Sequence, residues 1–183
     1  MLTNGATDIY LNLFLIIVLL IALAIDMRIF KIPNMLTYPA MAAALIFHAV
    51  LNGMSGFLFS MLGLIAGLGI LLGPFLLGFM GAGDVKLIGA VGAALGVRGV
   101  VNACIFTALA GGILAIVLLL VHNRNFKFVS SYAAALSASI GERRVIGVPS
   151  SAGKKPKVYY GLAIAVGTLY TICWKAAFSS YPL

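Results

Sequence analysis

The chain has 183 residues, of which 63% are hydrophobic and only 9% charged, with twelve Lys or Arg against four Asp or Glu. This balance excludes a disordered chain, which needs low hydrophobicity and high charge. It also excludes a soluble domain, whose outer shell must be largely polar, and two cysteines exclude a disulfide-rich scaffold. What remains is a membrane protein, expected to be all-α and to form a single domain over residues 1–183. The acids are Asp8, Asp26, Asp84 and Glu142.

A membrane-crossing helix needs about 20 mostly apolar residues, with about 17 as a lower limit. The first candidate runs over 9–25. It is not read as a cleavable leader, because nothing basic precedes it and no small-residue cleavage site follows. It ends at Asp26, and Pro33 disfavours helical geometry at Ile32, so a short polar break follows. The second span covers 35–51, and the third covers 57–80 after the turn-forming Asn52-Gly53-Met54-Ser55-Gly56. The apolar stretch from Val85 to Val121 would be about 55 Å long as one helix at about 1.5 Å per residue, too long for one crossing. Gly96-Val97-Arg98-Gly99 divides it into spans of 81–97 and 100–121. The sixth span is 158–178. Residues 123–157 form the one sizeable polar segment, within which 126–140 has the composition of a helix lying on the membrane surface. Glycines recur four residues apart at Gly63/Gly67, Gly69/Gly73 and Gly92/Gly96, a spacing that lets helices approach closely.

Charge distribution sets the orientation. With the amino terminus outside, the inner segments hold Arg28, Lys31, Lys86, Arg124, Lys127, Arg143, Arg144, Lys154, Lys155 and Lys157, and only Arg98 and Lys175 fall outside. Cytoplasmic loops collect Lys and Arg, so the expectation is a bundle of six transmembrane helices with both termini outside and 123–157 cytoplasmic. The net charge of +8 then reports orientation, and no nucleic-acid partner is expected.

In that topology Asp26 and Asp84 both lie at the cytoplasmic edge of the bilayer. A carboxylate at membrane depth costs about 2.5–3.5 kcal/mol on insertion scales, so two on one side of a small bundle call for a use. Held close together, two carboxylates share one proton. The ionised member can take a proton from water while the protonated member polarises a scissile carbonyl, and the pair titrates jointly. Gly81 and Gly83 leave the approach to Asp84 free of side chains. Lys86 is either a bias on the ionisation of the pair or an ordinary cytoplasmic lysine. Arg28 and Asn34 either orient the pair or the substrate, or serve as positive-inside charge and loop cap.

The segment Asp26-x-Arg28-x-x-x-Ile32-Pro33-Asn34, followed by Thr37, resembles the first catalytic motif of the type IV prepilin peptidases, and Gly81-Ala82-Gly83-Asp84-Val85-Lys86 resembles their second, Gly-x-Gly-Asp. The stretch Tyr159-Tyr160-Gly161-Leu162-Ala163-Ile164-Ala165 is similar to the segment that opens the family's last helix, with Pro156 earlier than the family's proline. The resemblance implies an intramembrane aspartic endopeptidase of the inner membrane. Such an enzyme cuts the short hydrophilic leader of prepilin-like proteins on the cytoplasmic side, usually after Gly, with Asp26 and Asp84 as the catalytic dyad and no cofactor. Gly81, Gly83, Lys86, Arg28, Pro33 and Asn34 are carried over as dyad-supporting or substrate-binding residues. The chain starts directly at a span and lacks paired Cys-x-x-Cys motifs. It therefore resembles the short tight-adherence and archaeal preflagellin forms, for which methylation of the new amino terminus is not expected.

His48 and His122 fall at opposite ends of their spans, so a metal site is not expected. His48 is read as an interhelical hydrogen-bond partner and His122 as an interface residue. Cys104 and Cys173 are read as free thiols, although a disulfide between them is conceivable. Tyr170, Trp174 and Tyr181 are placed in an outer aromatic belt. Two other function classes fit the membrane carboxylates less well: a small proton-coupled transporter or channel, which needs acids along a path, and a non-enzymatic subunit of a pilus or secretion machine, which would tolerate loss of both acids.

Overall fold

The computed structural model describes residues 5–29, 31–77, 80–121 and 160–178. The polar segment 123–157, including the surface helix expected over 126–140, the chain termini, His122, Tyr159 and Tyr181 lie outside the described residues. All described regular structure is helical: α1 (Gly5–Ile29), α2 (Asn34–Leu76), α3 (Ala82–Val121) and α4 (Tyr160–Phe178). Among the described residues, three helices are long and apolar enough to cross a membrane, over Ile9–Ile29, Asn34–Leu76 and Ala82–Leu114. Their outward faces carry large apolar side chains such as Leu13, Ile17, Ile65, Ile105 and Ile113.

α1 continues through Asp26 to Ile29, one turn further than the position of the acid suggests. Nothing in Met27-Arg28-Ile29 opposes helix, and termination waits for the geometry that Pro33 imposes on Ile32. Asp26 therefore sits inside a helix with its neighbours fixed by packing. Pro33 is the N-cap residue of α2, with extended backbone (φ −72°, ψ 143°), and its carbonyl accepts from the amides of Leu36 at 3.1 Å and Thr37 at 3.4 Å.

α2 and α3 are each interrupted by one glycine with positive φ. Gly53 has φ 59° and ψ −143°, and Gly96 has φ 71° and ψ −177°, conformations that L side chains rarely adopt. At Gly53 the helix folds back on itself, since a Cβ at Gly56 would run into the carbonyl of His48, two turns earlier in sequence. The two rods of α2 then pack on the first rod of α3. Gly63 and Gly92 meet backbone to backbone, with no room for a Cβ on either. A Cβ on Gly67 would come within 2.6 Å of the Ile88 carbonyl. By contrast, Gly69 and Gly73 have the same four-residue spacing but face open space. The second rod of α3 packs antiparallel on α4, with Thr107 against Gly167 and Gly111 against Ala163. Around these contacts lies a core that includes Leu15, Leu19, Leu87, Ile88, Val91, Val100 and Ile164, each 1% exposed or less.

The break at Gly96 separates the carbonyls of Ala93 and Ala94 from their usual helical donors, the amides of Val97 and Arg98. α2 supplies replacements. The Ser60 hydroxyl donates to Ala93 O at 2.7 Å, and His48 Nε2 lies 3.0 Å from Ala94 O. A carbonyl only accepts, so His48 carries its hydrogen on Nε2. The His48 ring is held between Phe47, edge-on at 6.1 Å, and Phe59 at 5.2 Å. Removing one partner of a buried hydrogen bond costs about 1–3 kcal/mol in soluble proteins, and interhelical bonds in membranes average about 0.6 kcal/mol. His48→Ala and Ser60→Ala are accordingly expected to lower the midpoint of thermal unfolding in detergent, by amounts within that range when converted from denaturant titrations. An unchanged midpoint in both would show that these carbonyls are otherwise satisfied.

Cys104 is half-buried, Cys173 is exposed, and both are free thiols. The half-exposed rings of Tyr170 and Trp174 stack at 6.0 Å, with Phe106 4.3 Å from Tyr170.

Candidate active site

The ends of the helices that carry the acids converge. Gly83 in the first turn of α3 packs on Ile32 just ahead of α2, where an added Cβ would stand 2.9 Å from the Ile32 carbonyl oxygen. Gly161 in the first turn of α4 packs on Asp26 near the end of α1. Both breaking glycines, Gly53 and Gly96, lie at the other end of the helices. Asp26 and Asp84, far apart in sequence, are thus brought to one cleft of about 360 Å³. The backbone of Gly81, Ala82 and Gly83 and the side chain of Ile32 form its walls, with Lys31, Asn34 and Lys86 also lining it. A larger groove of about 500 Å³, along the first rod of α2, is lined by Ala43, Ile46, Phe47, Val50 and Leu51 and offers no polar side chain.

Each acid is buried and held by one backbone amide. Asp26 is 6% exposed and Asp84 9%. Asp84 lies in the first turn of α3, where its Oδ2 accepts from the Gly81 amide at 3.0 Å while its own amide donates to Gly81 O at 3.1 Å. This is the reciprocal half of a capping box, a carboxylate reaching back to the first amide of the helix it opens. Asp26 Oδ2 accepts at 3.2 Å from the amide of Gly161. That amide is one of the unsatisfied donors at the start of α4, where the helix dipole also favours a negative group.

Of the other candidates from sequence, Gly81 and Gly83 supply cleft backbone, and Asn34 lines the cleft at the start of α2. The Lys86 ammonium donates to Asn34 Oδ1 at 2.8 Å and stands 4.8 Å over the Tyr38 ring. It thereby ties the start of α3 to the start of α2 and does not lie on either aspartate. Arg28 is exposed in the last turn of α1, and among the described residues neither Arg28 nor Pro33 lines the cleft. Pro33 acts by setting where α2 begins. Sequence reasoning did not single out Gly161, Ile32, Lys31 or Tyr38 as site residues. Two of them carried a signal, Ile32 by its place in the first motif and Gly161 by its place in the stretch opening the last helix. Among the described residues, no group of three or more His, Cys, Asp or Glu comes together to hold a metal ion.

Two buried carboxylates facing one cleft, each with a second oxygen beyond the one its amide holds, can move a proton to and from a bound water. Gly81 and Gly83 bring no side chains of their own to the cleft wall. No curated protein and no solved structure matched the chain. The model of the type IV leader peptidase family matches residues 13–116, from the first turns of α1 through most of α3, and α4 lies beyond it. That match covers more than half of the chain and includes both acids, and the chain belongs to the type IV leader peptidase family.

Proposed function

We propose that the protein is an aspartic endopeptidase that removes the leader of prepilin-like proteins at the cytoplasmic edge of the inner membrane. The observation that carries this reading is the convergence of Asp26 and Asp84 on one cleft beside the Gly81–Gly83 backbone, within a chain of the leader peptidase family. One carboxylate, ionised, takes a proton from water as the water oxygen bonds to the scissile carbonyl carbon. The other, protonated, gives its proton to the carbonyl oxygen. The resulting diol collapses: the C–N bond breaks as the leaving nitrogen takes the proton the first carboxylate gained from water, and one diol hydroxyl gives its proton to the second carboxylate as the carbonyl re-forms, restoring the dyad. Water is the nucleophile, so no acyl-enzyme forms, and the dyad is one titrating unit. Lys31, Asn34 and Lys86 at the cleft form its polar mouth.

The proposed topology has six crossings with both termini outside. It is supported by the length of α2, whose 43 residues would reach about 64 Å if straight, against a hydrocarbon core of about 30 Å. The break at Gly53 divides α2 into rods of 19 and 23 residues (34–52 and 54–76), each of membrane-crossing size, and the break at Gly96 divides α3 into a short rod of 14 (82–95) and a long one of 25 (97–121). The cleft end carries Arg28, Lys31 and Lys86, as a cytoplasmic face should. Among the described side chains the acids are Asp26 and Asp84, and both lie at that end, whereas a proton-coupled transporter needs acids along a path across the bilayer.

Co-expression with a prepilin-like protein is expected to convert the precursor to a shorter form in membranes, seen by immunoblot. Precursor that persists unchanged with every prepilin-like protein of the same genome would remove the assignment.

A further inference from the structure

The contact between α1 and α4 includes the acid itself, and its α4 side lies beyond the region covered by the family match. We propose that Gly161 is the positioning residue of Asp26: its amide orients the carboxylate, and its missing side chain is what allows α4 to reach it. The inference rests on the reading of Asp26 as half of the catalytic dyad. The donor–acceptor distance is 3.2 Å in a buried setting. A Cβ at position 161 would stand 2.7 Å from Asp26 Oδ2, closer than real Cβ contacts come, and 3.1 Å from both its Cγ and Cβ, tighter than most of them. Asp26 cannot withdraw, because Ala22, one turn earlier on α1, is fully buried and pins that face of the helix. Ala163, Ile164 and Ala165, each 2% exposed or less, fix α4 in the same way. Any side chain at 161 therefore turns the carboxylate out of its place. Asp84 needs no such helper, since its amide donor, Gly81, belongs to its own helix cap.

The scarcity of acids makes a direct test feasible. Protein labelled with ¹³C at the Asp side-chain carboxyl, in detergent micelles, gives resonances from Asp8, Asp26 and Asp84, with that of Asp26 identified by its loss in Asp26→Asn. Gly161→Ala is expected to displace the Asp26 resonance and its titration midpoint while leaving Asp8 in place. Gly112→Ala, at a helical glycine with open space around it, is expected to leave all three in place. The thermal destabilisation caused by Gly161→Ala is expected to shrink in an Asp26→Ala background, where the Oδ2 and Cγ atoms it would strike are gone. This second comparison holds even if the single variant is poorly folded. An Asp26 titration that superimposes on the parent, or an equal thermal cost in both backgrounds, overturns the proposal. Cleavage of a co-expressed prepilin is expected to fall about 10²-fold in Gly161→Ala, the scale of loss for a small misplacement of a reacting group. If Asp26→Asn and Asp84→Asn both still cleave, the peptidase reading fails while the Gly161 contact remains testable by resonance. If those two are inactive and Gly161→Ala cleaves like the parent, only the positioning role fails.

Discussion

Asp26→Asn and Asp84→Asn are each expected to lower cleavage of a prepilin-like substrate about 10²–10⁴-fold, the usual contribution of a positioned acid or base, while the protein inserts and folds as before. The two halves of that expectation have separate causes. Asn keeps a carbonyl oxygen that can accept from the Gly161 amide or the Gly81 amide, so the bond that ties α1 to α4 and the cap that opens α3 both survive. Asn also removes the desolvation cost of a buried carboxylate, so thermal stability in detergent is expected to be equal or higher. What Asn cannot do is exchange a proton with water. Equal loss in both single variants, with no further loss in the double, would show that the pair acts as a unit. A variant that loses activity together with its thermal transition would instead show that the acids are structural.

Gly63→Leu is expected to have the largest structural effect of any single change. Gly63 and Gly92 touch through their backbones, so a side chain at either must push the second rod of α2 away from the rod that carries Asp84. Overpacking that displaces side chains costs about 1–3 kcal/mol, and displacing backbone belongs at or above the top of that range. The same substitution at Gly69, which faces open space, is expected to be tolerated. Thermal unfolding in detergent, read for Gly63→Leu beside Gly69→Leu, separates the close contact from a general effect of losing glycine. Similar midpoints would contradict the packing described for α2 and α3.

That pair of glycines also shows how far the sequence could be read. The small-residue spacing is the same at Gly63/Gly67 and at Gly69/Gly73, and nothing local distinguishes them. The distinction comes from which face of α2 meets α3, and the apolar composition of a membrane helix leaves that face unmarked. The helical class and the apolar runs were legible because a bilayer demands length and hydropathy, and a single glycine with positive φ interrupts each of the two long helices. The two acids were legible because so few others exist, and their shared cleft follows once the helix ends converge. The Gly161 bond to Asp26 was not legible, since the two residues are 135 positions apart and the donor is a backbone amide with no side-chain signature. The role of Lys86 was legible only as a pair of alternatives, and its ammonium in fact bridges to Asn34 and Tyr38. Asp26 was placed at a helix end because charge reads as a boundary, yet one further turn of helix follows it.

The most direct measurement of the central claim is mass spectrometry of the leader junction. Purified protein is incubated in detergent with a prepilin-like substrate, beside Asp26→Asn and Asp84→Asn preparations of matched thermal stability. The parent is expected to release one leader by a cut at a single peptide bond on the cytoplasmic side of the substrate's apolar helix, and the two variants are expected to leave the precursor intact. The same cut at the same rate in either variant would contradict the account.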